Sequence, residues 1–308
     1  MRSWRSAARI AFSVLAVALL VLTVVRERVA LASALQQLSV GALVSSTLLV
    51  VAGLVAQMLS WRALFAGETS AMPTLRASAQ IYYVGQLGKY VPGGIWAVVA
   101  QSEIGLGHRI ARARSAVVAL GALAVLVVTG TGIAAAVLGL TSPDSLWSYW
   151  WALPALPLGI CLLTPPVFNR LIQVALRVTH RKGTTQGIGT RSLAVSTGWA
   201  LVMWALFGAH IWVLAEALGG RSSHIALTSV GAFALAWVVG LLVVIAPAGA
   251  GAREVALVLA MGSVLDRPAA LVLALVSRIL MVVADAVVAG AAVPDLLLRR
   301  RVTRRSEG

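Results

Sequence analysis

Long apolar runs separated by short arginine-rich clusters set the rhythm of this chain. A hydrocarbon layer about 30 Å thick needs about 20 apolar residues in helical form. Runs near that length occupy Ala8 to Val25, Val40 to Leu59, Ser115 to Leu140, Ala152 to Val167, Leu193 to Leu218 and Ala269 to Val293. The first is too long for a signal-peptide core, and Arg26-Glu27-Arg28 intervenes before the Ala30-Leu31-Ala32 stretch that resembles a cleavage site, so it reads as a retained span. Two further apolar stretches break the pattern. Residues 77–107 contain Lys89 and the helix-breaking Pro92-Gly93-Gly94. Their 31 residues are too few for two crossings, which need about 40, and the stretch is too long and too broken for one. A re-entrant hairpin fits. Residues 225–264 break at Pro247-Ala248-Gly249-Ala250-Gly251. Here residues 225–246 either cross fully, with 252–264 returning, or form a second re-entrant arm. Broken backbone at membrane depth is tolerated where protein buries it or where it lines a wet cavity.

The predicted fold is therefore all-α: a polytopic transmembrane helical bundle of about six full spans plus two broken hairpins. The chain reads as one integral membrane domain over 1–308, with halves near 1–150 and 151–298 and a basic tail at 299–308. Each half has the order span, span, broken segment, span, and the second starts from the opposite side. Such an inverted repeat places a site at the interface of its paired discontinuous helices.

Composition agrees. Hydrophobic residues make up 60% of the chain and charged residues 11%, against about 25% charged in a soluble domain. The net charge of +15 does not indicate nucleic acid, because the basic residues lie between apolar runs and not along one face of a soluble module. With the N-terminus inside, 18 Lys and Arg fall in inside segments and 4 in outside segments. This bias predicts an inner-membrane protein with both termini cytoplasmic. The loop holding Trp147, Tyr149, Trp150 and Trp151 lacks Lys and Arg and reads as an outer aromatic belt. Cys161 is the only cysteine, so no internal disulfide can form. The histidines lack metal-ligand spacing, and no cofactor is called for.

Six ionisable residues fall within apolar segments: Lys89, Glu103, Arg253, Glu254, Arg278 and Asp285. Each costs about 2.5–3.5 kcal/mol at mid-bilayer on insertion scales, so it needs a partner or water. Arg278 and Asp285 lie seven residues apart, about 10.5 Å along a helix, and should pair with other segments. Arg278 with Glu254, and Asp285 with Lys89 or Arg253, are the expected couples. Buried ion pairing that simply holds helices together is the plain alternative to a site. Lys89, Arg253 and Glu254 sit beside broken backbone, where free N–H groups favour an anion, and Lys89, Arg253 and Arg278 could neutralise a phosphate. Gly94, Gly249 and Gly251 are either joints or close-approach points for that phosphate. Tyr90 and Trp96 are either a head-group platform or interfacial anchors. No nucleophile–base pair emerges, which predicts a protein that is not an enzyme.

The broken segments, Gly85-Gln86-Leu87-Gly88-Lys89-Tyr90-Val91-Pro92-Gly93-Gly94-Ile95-Trp96 and Pro247-Ala248-Gly249-Ala250-Gly251-Ala252-Arg253-Glu254, resemble those of the flippase-like family, also called the lysylphosphatidylglycerol synthase transmembrane region. Arg278 matches an arginine usual there. The first segment departs from the commoner form, which has an arginine and a Gly-Glu pair where Ile95-Trp96-Ala97 stands here. Relatives of this kind move an aminoacylated phosphatidylglycerol between leaflets or serve polyprenyl-linked sugar pathways. The resemblance implies translocation or handling of an anionic phospholipid or polyprenyl-linked saccharide. It brings no synthase activity, since no hydrophilic segment here is long enough to form that soluble domain. Its site would comprise Lys89, Tyr90, Pro92, Gly93, Gly94, Trp96, Pro247, Gly249, Gly251, Arg253, Glu254, Arg278 and Asp285. Expected partners are membrane lipids and cell-envelope biosynthesis enzymes. Two other readings are a membrane-embedded glycosyltransferase or its accessory subunit, using Glu103 or Glu254, and a non-catalytic scaffold.

Overall fold

A computed structural model describes residues 36–66, 72–91, 95–141, 155–178, 187–243 and 247–306. The expected first span, the Pro92-Gly93-Gly94 break and the aromatic loop at 147–151 lie outside the described residues. Every regular element described is helical. In order these are α1 (Val40–Ala63), α2 (Leu75–Ala79), α3 (Trp96–Leu106), α4 (Arg112–Thr141), α5 (Ala155–Leu162), α6 (Pro165–Val178), α7 (Thr190–Ala217), α8 (Ile225–Leu242), α9 (Ala252–Met261) and α10 (Arg267–Ser306). A π-helical turn, Gln80–Val84, and a 3₁₀ turn, Leu87–Tyr90, continue α2.

Among the described residues, five helices are long and apolar enough to cross a membrane: Val40–Ala63, Arg112–Val137, Thr190–Ala217, Ile225–Leu242 and Arg267–Val293. Ile225–Leu242 forms one uninterrupted helix of span length. The segment expected to run from 152 to 167 ends as a helix at Leu162, and a new helix starts at Pro165. Proline is favoured at a helix N-terminus and disfavoured within one, so Pro165-Pro166 divides the run. The α10 helix continues through Arg299–Arg301 to Ser306.

The packing places polar residues inside and aliphatic ones outside. On α1, Val40, Val44, Leu48 and Val55 are exposed, whereas Ser46, Gln57 and Ser60 are buried. This suits lipid as solvent: tails solvate the aliphatic side chains, while hydroxyls and amides must find partners within the protein. The α1 helix runs antiparallel to α7, with three cross-links in register. Ser46 Oγ lies 2.9 Å from His210 Nδ1, Gly53 faces the Phe207 ring, and Ser60 Oγ donates to the Ser196 carbonyl at 2.9 Å. His210 also meets Ser277 Oγ at 3.0 Å through Nε2, tying α1, α7 and α10 together in the buried centre. Arg114 Nη2 donates to the Leu64 carbonyl at 3.1 Å, and Ser192 donates to the Ala66 carbonyl. The basic ends of α1, α4 and α7 therefore share one face of the bundle, as the loop charges predict.

Candidate functional site: a cationic cavity between two helical hairpins

The first hairpin pairs the α2-to-Tyr90 arm with α3. The glycines of the Gly85-Gln86-Leu87-Gly88 stretch explain how its arms meet. A Cβ on Gly88 would lie 2.6 Å from the backbone of Trp96 and Ala97, and one on Gly85 would lie 2.4 Å from Gln101 Cγ. The second hairpin folds α9 back along the end of α8, with Gly249 against the Gly240 backbone, where a Cβ would be 2.6 Å away. Between them, Ala248 adopts φ 49° and ψ 31°, a left-handed conformation that costs a non-glycine residue about 1–2 kcal/mol. Arg278 Nη1 donates to its carbonyl at 3.0 Å, so α10 holds the strained turn in place.

Both hairpins and α10 converge on a cavity of about 180 Å³. Its charged lining residues, among those described, are Lys89, Arg253, Arg278 and Asp285, and Tyr90 lines it beside them. Both expected pairings are present. Lys89 Nζ lies 2.6 Å from Asp285 Oδ2, and Tyr90 donates its hydroxyl to the same oxygen at 2.6 Å. Arg278 Nε lies 3.5 Å from Glu254 Oε1. The other oxygen of Glu254 accepts from the Gly251 backbone N–H at 2.6 Å. A protein carboxylate therefore occupies an N-terminal donor of α9 that had seemed free for a ligand anion. Arg253 stacks over the Phe233 ring, 4.7 Å from its centroid, and makes no ion pair among the described residues. Cation–π contact partly offsets the desolvation of a guanidinium while leaving its donors for another acceptor.

Other predicted site residues fall elsewhere. Glu103 forms a two-point pair with Arg112, 2.9 and 2.8 Å long, at the exposed end of the first hairpin. Trp96 is exposed at the start of α3 and is not part of the cavity wall. Gly249 lines the cavity, yet its close approach is to Gly240 and not to open space. Gly251, at φ 87°, serves the capping contact with Glu254. Pro247 opens the 3₁₀ turn of the second hairpin.

Several wall residues escaped sequence reasoning: Gln57, Trp61, Tyr82, Gln86 and Gln101. The available signal was the cost of placing an unpartnered amide in an apolar helix, which is smaller than that of a charge and easily passed over. The three glutamines come from α1, the first arm and α3, so only the tertiary structure brings them together.

The chain belongs to the family of the lysylphosphatidylglycerol synthase transmembrane region, whose profile matches residues 7–289. It is a multi-pass membrane protein of a lipid-handling family. No curated protein and no solved structure matches it.

Proposed function

We propose that this protein translocates a phosphate-bearing anionic lipid, drawing the head group into the cavity while the tails stay in the bilayer. The observation that carries this reading is the convergence of Lys89, Arg253 and Arg278 on one cavity between two hairpins. Asp285 and Glu254 offset two of the three cations. One net positive charge remains, matched by the single negative charge of a phosphodiester. Arg253 is the natural anchor, since its guanidinium can offer parallel donors to two phosphate oxygens. The family supports a lipid as the cargo, either an anionic phospholipid or a polyprenyl-linked saccharide. The two hairpins, read as re-entrant elements of an inverted repeat, would let the site open to either side. The loop-charge bias supports an inner-membrane location with cytoplasmic termini.

Glycosyl transfer receives less support. Neither Glu103 nor Glu254 lines the cavity, and the lining carboxylate, Asp285, is engaged by Lys89 and Tyr90.

A leaflet-accessibility assay in reconstituted vesicles tests the proposal. The wild type should speed movement of an anionic head group, and Lys89→Ala and Arg253→Ala should each slow it by about tenfold or more, the equivalent of about 1.4 kcal/mol. Unchanged rates with both variants, folded and inserted, would sink the site assignment.

A further inference from the structure

Arg253 is the cavity cation with which no described carboxylate forms an ion pair. Glu254 is turned to the Gly251 N–H and to Arg278, and Asp285 to Lys89 and Tyr90. The Arg253 side chain lies instead along one face of α8. At its root, a Cβ on Gly240 would be 3.0 Å from Arg253 Cβ. At its tip, the guanidinium carbon is 4.7 Å from the centre of the Phe233 ring. Phe233 and Gly240 are seven residues apart, about two helical turns, and so share that face. Phe233 is fully buried and is not part of the cavity wall, so it backs the guanidinium from the protein side. Its ring is fixed in turn by three α7 side chains, Trp204, Phe207 and His210, with centroids 6.3, 5.1 and 5.6 Å away. His210 is itself held by Ser46 and Ser277.

We propose that Phe233 is a positioning residue for Arg253: its ring stands in for the phosphate between lipids and so sets how tightly the next lipid is held. This rests on the reading of Arg253 as the phosphate anchor. The negative face of an aromatic ring attracts a net positive charge, most strongly where water is scarce. In the empty site the guanidinium carries its full charge, and the ring attracts it fully. Once a phosphate accepts from the guanidinium donors, the ring faces a neutral ion pair and the attraction falls. The ring therefore stabilises the empty site more than the loaded one. An intramembrane charge needs compensation, and the ring supplies part of it without a carboxylate that would compete with the lipid. It also weakens the hold on the phosphate, which a carrier needs in order to release its lipid.

The test changes the charge distribution of the ring at nearly constant shape. Phenylalanine analogues with one, two and three ring fluorines replace Phe233 in the full chain, each fluorine weakening the negative face. Equilibrium binding is measured in mixed micelles with phosphatidylglycerol and with a hexosyl polyprenyl phosphate, both phosphodiesters, and the tighter of the two is followed through the series. Binding should tighten stepwise, by about threefold to tenfold with three fluorines, while the thermal midpoint of the lipid-stripped protein falls. Should the trifluoro protein fail to fold, the first two analogues still give the slope. On an Arg253→Ala background, where binding is weaker, the series should be flat. Affinity that stays constant or drops along the series in folded protein overturns the role of Phe233, and so does a slope that persists without Arg253. The two levels of inference separate cleanly. If neither lipid binds the wild type, or Arg253→Ala binds as the wild type does, the phosphate-anchor reading fails as well. A flat series in a protein whose binding Arg253→Ala weakens removes Phe233 alone.

Discussion

Replacing Asp285 with alanine removes one oxygen that serves two partners, Lys89 Nζ and the Tyr90 hydroxyl, each at 2.6 Å. Breaking a buried ion pair by deleting one partner costs about 3–5 kcal/mol, because the other charge is left uncompensated. Here Asp285 is buried, with 7% of its side chain exposed, but Lys89 keeps 33%, so water in the cavity screens part of the loss. The expected destabilisation is about 2–3 kcal/mol after that discount. Lys89→Ala leaves Asp285 its hydrogen bond from Tyr90 and should cost less, about 1–2 kcal/mol. The double variant removes both charges and leaves Tyr90 without its acceptor, again about 1–2 kcal/mol. The single effects therefore should not add, and the coupling should be about 2 kcal/mol. Reversible unfolding of the four proteins in mixed micelles measures it. Additive losses, with coupling below about 0.5 kcal/mol, would refute the pair as the contact that joins the first hairpin to the last span.

Three further outcomes follow from packing and pairing. Gly88→Ala would set a Cβ 2.6 Å from the Trp96 and Ala97 backbone. It should destabilise the protein by about 1–3 kcal/mol and lower the leaflet-exchange rate with it. His210→Leu leaves two buried hydroxyls, Ser46 and Ser277, without their shared partner; a loss of about 1–3 kcal/mol in unfolding free energy is expected, with lipid selectivity unchanged. Glu103→Gln breaks an exposed pair, whose partners keep 53% and 58% of their side-chain exposure, and should cost under about 1 kcal/mol with no change in transport.

Much of this architecture could be read from the one-dimensional pattern, for physical reasons that differ between elements. A span announces itself because hydrocarbon thickness fixes its length, so α1, α4, α7 and the apolar part of α10 fall close to the expected limits. The charges in apolar segments were legible because each demands compensation, which is why the Lys89–Asp285 and Arg278–Glu254 pairs could be anticipated. Length alone could not show that Pro165 would start a helix and not end a span. A single histidine carries no periodic signal, so nothing in the sequence marks out His210. Its importance comes from a three-helix crossing that gives each ring nitrogen a serine. The same holds for Gln57, Gln86 and Gln101, which become a wall only after α1 and the two arms of the first hairpin meet. The Glu254 cap was half visible: an acid three residues after a glycine marks a helix start, yet sequence alone leaves open whether that start binds a ligand or its own side chain.

The central claim is that the cavity between the hairpins holds a lipid phosphate through Arg253. Native mass spectrometry of the wild type and Arg253→Ala, purified from the same membranes, tests it most directly. The wild type should retain a phosphate-bearing lipid that the variant loses, with both remaining folded. The same lipids at the same occupancy on both proteins would contradict the account.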